Sequence, residues 1–269
     1  MREPRAALRE PSRSPARRAG RVLHSARMAN ALELPPISTE MLSTVEGAAL
    51  ELGVTRAQLH EAAGRATAQL ARRLLDNKIS GATVVALVGH GVKACVALHA
   101  LRILHGFGAD CRAVLTGGEA ELRPETLAAA QTCEALRMPL LQPRSPVVRN
   151  ALADADLVID GLVGVGLQGT LRDPAAALVR LCNEVRGNAL SLECPTGLAP
   201  DSGEPGAPTL RARATLALGL PVAGNFAPLA WQFTGELWLC DVGYPRAALG
   251  TAGLEGDELF ASDGLLRLR

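Results

Sequence analysis

The apolar positions of this chain follow two alternating patterns, one typical of amphipathic helices and one typical of buried strands. Helical spacing predicts a first helix that ends at Glu51 and a second that begins with Thr55 and Gln58 as a capping box. The apolar stripe of the second helix consists of Leu59, Ala63, Ala66, Leu70 and Leu74. The next apolar run, residues 83–88, is short, rich in β-branched residues and apolar on both faces, which is typical of a buried parallel strand.

The same alternation continues to about residue 240. Further helices are predicted over residues 93–105, 124–137 and 174–185, and further strands over residues 112–115, 157–159, 189–192, 215–218 and 237–239. Strands that alternate with helices in this way form a parallel sheet covered by helices on both faces. We therefore predict an α/β fold, a Rossmann-like three-layer sandwich with a mostly parallel sheet and two N-terminal helices.

Composition and charge exclude several classes of protein. Aromatic residues make up 3% of the chain and the net charge is +1, so a nucleic-acid-binding protein is not expected. No apolar run approaches the roughly 18 residues of a membrane span. The six cysteines are scattered without a C-x-x-C pair, which favours buried thiols in a reducing compartment over zinc ligands or disulfides. A cytoplasmic protein is expected.

Residues 1–30 differ from the rest of the chain. They contain eight arginines, two glutamates and three prolines, without apolar periodicity. The prolines disfavour the amphipathic helix of a transit peptide, so we predict a disordered extension, with Met28 as an alternative start. The folded domain is predicted to cover residues 31–248, and residues 249–269 are predicted to be a C-terminal tail or linker stub.

Three polar segments follow predicted strands, at the sheet edge where open α/β sheets bind ligands. They are Gly89-His90-Gly91, residues 160–169 and residues 193–197. Each segment also has a purely structural interpretation. The glycines could permit tight turns, Asp160 could cap a helix, and Glu193 could be a solvated strand end. Gly89-His90-Gly91 also lacks the third glycine of the dinucleotide fingerprint.

Taken in order, these segments resemble the YjeF N-terminal domain family, the NAD(P)H-hydrate epimerases. The family's D-x-x-x-G-x-G-L-x-G segment is matched by Asp160, Gly164, Gly166, Leu167 and Gly169. Residues 193–198 match its D-I-P-S-G-L, residues 241–245 its D-I-G-I-P, and residues 60–64 its M-E-N-A-G. The resemblance covers about residues 38–245.

This resemblance implies repair of nicotinamide cofactors, in which the R and S forms of hydrated NADH and NADPH are interconverted for a separate NAD(P)H-hydrate dehydratase. It implies that Glu193 is the catalytic acid–base group and that Asp160 and Thr196 hold a potassium ion. It also implies a homodimer through the opening helices. The substrate-binding residues implied are Gly89, His90, Gly91, Lys93, Gly164, Val165, Gly166, Leu167, Gln168, Gly169, Thr170 and Glu193.

The chain departs from the family pattern at this site. The family's first phosphate loop, G-P-G-N-N-G-G-D-G, is reduced to Gly89-His90-Gly91, and a potassium-binding asparagine is lost with it. Lys93 stands in place of the aspartate, where it could contact phosphate, repel the ion or simply be solvated. Glu193 is one methylene longer than the aspartate that it replaces. The alternative function is therefore a non-catalytic module that binds a nucleotide or a protein partner.

Overall fold

A single sheet of eight strands organises the part of the chain that the computed structural model describes, residues 35–185, 187–254 and 264–269. The strands are β1 (Thr83–Val88), β2 (Asp110–Leu115), β3 (Leu140–Leu141), β4 (Leu157–Gly161), β5 (Ala189–Leu192), β6 (Ala214–Leu218), β7 (Glu236–Cys240) and β8 (Leu265–Arg267). Their order in the sheet is β3-β2-β1-β4-β5-β6-β7-β8. All neighbours are parallel except β8, which is antiparallel to β7. The predicted α/β class is confirmed.

The helices are α1 (Thr39–Glu51), α2 (Arg56–Leu74), α3 (Val92–Gly106), α4 (Pro124–Ala135), α5 (Val147–Ala153), α6 (Ala175–Glu184), α7 (Trp231–Thr234) and α8 (Arg246–Gly250). The predicted capping box before α2 is present, since the Thr55 side chain accepts from Gln58 N–H and Gln58 accepts from Thr55 N–H. Ser38 caps α1 by accepting a hydrogen bond from Met41 N–H.

Helices cover both faces of the sheet, and β1 shows how. Its residues Val84, Ala86 and Val88 belong to the apolar cluster that contains α2, α3 and α4. Val85 and Leu87 point the other way, into the cluster that contains α5 and α6. Because β1 is buried on both faces, apolar side chains are favoured at successive positions, which explains the continuous apolar run from Val84 to Val88.

The strand order reverses direction between β1 and β4. The chain proceeds outward from β1 through β2 to β3, then returns to place β4 on the other side of β1. The loops that leave two such strands diverge to opposite faces of the sheet and open a crevice at their carboxyl ends. The loops after β1, β4 and β5 therefore meet at one place.

Five elements were absent from the prediction: β3, α5, α7, α8 and β8. Two- and three-residue strands are too short to show a period, and the three helices are only four to seven residues long. The interpretation of residues 249–269 as a tail or linker stub is wrong for residues 265–267. These residues pair with β7, and Leu265 and Leu268 are buried. The predicted extension, residues 1–30, lies outside the described residues.

The structure also bears on the cysteines and on membrane association. All six cysteines are buried free thiols, as predicted. Burial raises the pKa of Cys95 and Cys182 to about 12, so these thiols are protonated and unreactive at neutral pH. Within the described residues, no helix is both long and apolar enough to cross a bilayer.

Candidate active site

The loops after β1 and β4 approach each other so closely that one of them requires glycine. A Cβ on Gly89 would lie 2.0 Å from the carbonyl oxygen of Leu162. The Gly89 N–H donates a hydrogen bond of 3.0 Å to the Gly161 carbonyl, which holds the two loops together. Gly91 then caps α3 without a side chain, so the N–H groups of the first turn of α3 face the crevice.

A cleft of about 660 Å³ opens along these loops. Its lining includes all the predicted substrate-binding residues except Gly169, which adopts a φ of +69° in the turn beside it. Two arginines, Arg123 and Arg172, also line the cleft and were not predicted. A helix N-terminus, a glycine-rich turn and two guanidinium groups of this lining favour an anionic ligand. Its acidic residues are Glu193 and Asp173, and Asp173 is paired with Arg180 at 2.8 Å.

Lys93 is the residue whose position differs most from the prediction. Its side chain is 3% exposed, so the interpretation of a solvated lysine is wrong. Its Nζ lies among five oxygens: Asp160 Oδ2 at 2.8 Å, Cys194 O at 2.8 Å, Thr196 Oγ1 at 3.2 Å, Ser191 Oγ at 3.3 Å and Val163 O at 3.3 Å. We call these five oxygens the oxygen cage. An ammonium has three donors, and the cage leaves none for a substrate phosphate.

Asp160 supplies the negative charge of the oxygen cage and is fully buried. The Thr196 hydroxyl donates to Oδ1 at 2.7 Å, the Ser191 hydroxyl to Oδ2 at 2.8 Å and the Thr196 N–H to Oδ2 at 3.0 Å. Burial by itself would raise the pKa of Asp160, but the Lys93 ammonium and the Thr196 hydrogen bonds outweigh it and hold that pKa below its ordinary value. Asp160 is therefore a carboxylate, and it lies within β4 rather than capping a helix.

The resemblance implies potassium at Asp160 and Thr196, and the structure brings both residues into the oxygen cage. The centre of the cage, however, is where Lys93 Nζ lies, at hydrogen-bond distance from both side chains. A potassium ion there would overlap the ammonium and place a second positive charge beside a single carboxylate. The residues as arranged do not fit the ion. Among the described residues there is also no group of three His, Cys, Asp or Glu that could hold a metal.

Glu193 follows β5 directly, in a left-handed backbone conformation with φ of +59°. Its Oε2 accepts a hydrogen bond of 2.9 Å from Val165 N–H, and its main-chain carbonyl accepts one of 2.8 Å from Asn225 Nδ2. Burial raises the pKa of Glu193, although the Val165 N–H and the Lys93 ammonium oppose the rise. Glu193 is thus a fixed carboxyl group with an elevated pKa, not a solvated strand end.

A second, smaller pocket of about 100 Å³ lies on the other side of Glu193. It shares Val92, Val165 and Glu193 with the larger cleft, so the carboxyl group stands where the two cavities meet. The rest of its lining is mostly apolar and comes from α1, α2, α3 and the ends of β6 and β7. The two cavities together suit a ligand with an anionic part and a small ring.

The family follows from comparison with known proteins. A sequence profile described as YjeF-related protein N-terminus matches residues 56–224. The chain belongs to this family. An NAD(P)H-hydrate epimerase from Dehalogenimonas lykanthroporepellens is 31% identical over 225 residues, which are 82% of this chain and 87% of the relative. An NAD(P)H-hydrate epimerase from Cenarchaeum symbiosum is 30% identical over 214 residues, which are 79% of this chain and 97% of the relative.

Longer relatives agree with this assignment, and a solved structure has the same fold. A bifunctional NAD(P)H-hydrate repair enzyme Nnr from Pyrobaculum aerophilum is 30% identical over 204 residues, and the match spans 73% of this chain but 39% of that enzyme. The crystal structure of yeast ynu0, YNL200c, superimposes with a TM-score of 0.77 and 19% identity, covering 87% of this chain and all of the other. At that identity the superposition shows the fold alone.

The YjeF-related segment at residues 60–64 is structural as well as part of the site. Gly64 allows α2 to pack on α3, because a Cβ there would lie 2.5 Å from His99 Cβ. Glu61 accepts hydrogen bonds of 2.7 and 2.8 Å from Arg102 of α3, which connect the two helices, and one of 3.2 Å from Arg65 within α2. His60 lines the smaller pocket, with a buried Nδ1 that has no hydrogen-bond partner in the described part of the chain.

Four residues of the site in this YjeF-related domain were not predicted from the sequence: Ser191, Asn225, Arg123 and Arg172. Ser191 carried a usable signal, since it is a single hydroxyl in the otherwise apolar strand β5. Asn225 carried none, because it lies 32 residues from the Glu193 carbonyl that it binds. The two arginines are indistinguishable by sequence from the many surface arginines of this chain.

Proposed function

We propose that this protein is an NAD(P)H-hydrate epimerase, which interconverts the R and S forms of hydrated NADH and NADPH. The observation that carries the proposal is the position of Glu193, which lines both a cleft that contains a helix N-terminus and two arginines and a small, mostly apolar pocket. The relatives named for this activity support it, since they match this chain over nearly nine tenths or more of their own length.

The larger cleft is proposed to hold the pyrophosphate of the dinucleotide. The first turn of α3 presents N–H groups to it, and Arg123 and Arg172 supply positive charge. A Cβ on Gly166 would meet no atom within 4 Å, so this glycine is not required by the protein's own packing. Its lack of a side chain lets a ligand approach the main chain of the loop after β4.

The hydrated ring is then proposed to occupy the smaller pocket, against Glu193. Inversion at the carbon that carries the hydroxyl group requires a bond at that carbon to break and re-form, with a proton removed in one stage and returned in the other. A carboxyl group held in place by Val165 N–H, with its pKa raised by burial, can carry that proton in both directions. The proposal needs no step through potassium.

Several expectations from the resemblance remain proposals. They are consumption of the S form by a separate dehydratase and a homodimer through α1 and α2. The cytoplasmic location expected from the cysteines is likewise a proposal. The bifunctional relatives, named for NAD(P)H-hydrate repair, support a coupling to dehydration.

The proposal is tested by coupling the protein to an S-specific dehydratase and supplying a mixture of R and S hydrated NADH. We expect the protein to accelerate loss of the R form, and Glu193→Gln to remove that acceleration. Folded wild-type protein that leaves the R form untouched would overturn the proposal. If such protein still bound the hydrate by calorimetry, the non-catalytic nucleotide-binding function would be favoured instead.

A further inference from the structure

The oxygen cage has the composition of a binding site for a monovalent cation. One carboxylate, two hydroxyl groups and two main-chain carbonyls converge on a point within 3.3 Å. Oxygen donors of this kind bind hard cations, and carbonyl rings replace the hydration shell of potassium in selective sites. In this protein the cation at that point is an ammonium group attached to the chain.

The shortened loop explains how Lys93 reaches the cage. Only Gly89, His90 and Gly91 separate β1 from α3, so Lys93 is the second residue of a helix that begins beside the carboxyl end of β4. Its stem is buried along Val163 and Gly164, since a Cβ on Gly164 would lie 3.2 Å from Lys93 Cδ. A carboxylate and an ammonium balance the charge of the cage without any ion from solution.

We propose that the Lys93 ammonium is a built-in replacement for a bound monovalent cation, and that removing its side chain creates a site for a free one. Lys93 is then a positioning residue, not a catalytic one. Its Nζ donates to the main-chain carbonyls of Val163 and Cys194. Val163 lies in the loop whose Val165 N–H donates to the Glu193 side chain, and Cys194 directly follows Glu193 in the chain.

The binding part of this inference is independent of the proposed function, and it is tested by thermal unfolding without substrate. Wild type, Lys93→Ala and Lys93→Met are compared in potassium, rubidium, lithium and choline chloride at matched ionic strength. Alanine leaves the cage empty, whereas methionine fills it with an uncharged side chain of similar length, so Lys93→Met is the matched control. Propylammonium chloride is the second probe, because it supplies the three carbons and the ammonium that Lys93→Ala lacks.

We expect potassium, rubidium and propylammonium to raise the Tm of Lys93→Ala by roughly 2–4 °C or more relative to choline, and to leave wild type and Lys93→Met unchanged. A potassium-specific rise in wild type would overturn the inference. So would an anomalous peak in the oxygen cage of wild-type crystals grown with rubidium. These wild-type measurements remain decisive if Lys93→Ala does not fold. The inference would also be overturned if folded Lys93→Ala had the same Tm in every cation tested.

The activity readout rests on the proposed function. We expect wild-type turnover to be the same in potassium and choline, and Lys93→Ala to lose turnover and regain it with propylammonium or potassium. If wild type shows no turnover at all while the Tm pattern is as expected, the proposed function fails and the cation replacement stands.

Discussion

Gly164 lies so close to Glu193 that a Cβ at position 164 would be 1.9 Å from Glu193 Oε2. The same loop donates Val165 N–H to that oxygen at 2.9 Å. The position of the Glu193 carboxyl group is therefore set by two neighbouring residues: Gly164 leaves space for it, and the Val165 main chain donates a hydrogen bond to it. The glycine is required by the position of the functional group, not by an unusual φ angle.

Substitution of this glycine should uncouple activity from folding. We expect Gly164→Ala to displace the Glu193 carboxyl group by about 1 Å and to lower epimerase turnover by about a hundredfold. The matched control is Gly106→Ala at the far end of α3, where a Cβ has open space and activity should be retained. Turnover and Tm are measured for both variants. Normal turnover in Gly164→Ala would show that the close approach of position 164 to Glu193 does not control activity.

Glu193 should be required for activity but should lower the stability of the fold. In Glu193→Gln the amide oxygen can still accept from Val165 N–H, but the side chain can no longer carry a proton. We expect turnover to fall by at least about a hundredfold. The Tm at neutral pH should rise, because the variant removes a carboxylate that burial disfavours. Kinetics and thermal unfolding at neutral pH check both results, and a lower Tm with unchanged turnover would contradict both.

The raised pKa of Glu193 predicts a pH dependence with a definite sign. Because its pKa is higher in the folded than in the unfolded chain, the folded protein holds an extra proton between the two values. The stability contribution of Glu193 is therefore present below the unfolded pKa and is lost as the pH rises through the folded one. In urea unfolding across pH, the stability of Glu193→Gln relative to wild type should be lowest in acid and should increase as the pH rises through the folded pKa.

The same raised pKa sets the acid limb of the activity profile. The carboxylate form is needed to accept a proton, so kcat/KM should fall as the pH drops through a value above that of an ordinary glutamate. A limb at the ordinary glutamate pKa, or the same limb in the residual activity of Glu193→Gln, would assign it to another group.

The buried pair of Lys93 and Asp160 should depend on both partners. Asp160→Asn leaves the Lys93 ammonium buried without its counter-charge, and we expect a loss of about 3–5 kcal/mol in the free energy of unfolding. The double variant Lys93→Met/Asp160→Asn removes both charges and should be less destabilised than the sum of the single variants. Urea unfolding of the four proteins measures the difference. Simple additivity would show that the two charges do not interact.

The fold could be predicted from the sequence because its main elements are long or continuously apolar. The apolar stripe of α2, the capping box at Thr55 and the apolar run of β1 are local patterns, and each of them is typical of one kind of secondary structure. The elements that were not predicted are β3, α5, α7, α8 and β8, whose two to seven residues carry too little pattern. The position of β8 depends on pairing with β7, which is a contact between distant segments.

The edge of the sheet that carries the site was also predictable, because the carboxyl ends of parallel strands meet at one side. Asp160, Glu193 and Thr196 were predicted to converge there, and they do so in the structure. The roles within that edge were less accessible. Gly164, Gly166 and Gly169 look alike in sequence, yet one makes room for Glu193, one has open space and one has a positive φ.

The sequence by itself therefore determined the family, the order of the main strands and helices, and which loops meet at the candidate site, because local periodicity and motif spacing indicate each of these. Only the tertiary structure decided that Lys93 is the cation of the oxygen cage. Its partners lie 67 residues away at Asp160 and 103 residues away at Thr196. A lysine near the start of a helix can point to solvent or into such a cage. Which of the two occurs depends on how close those partners lie in space, and the fold determines that distance.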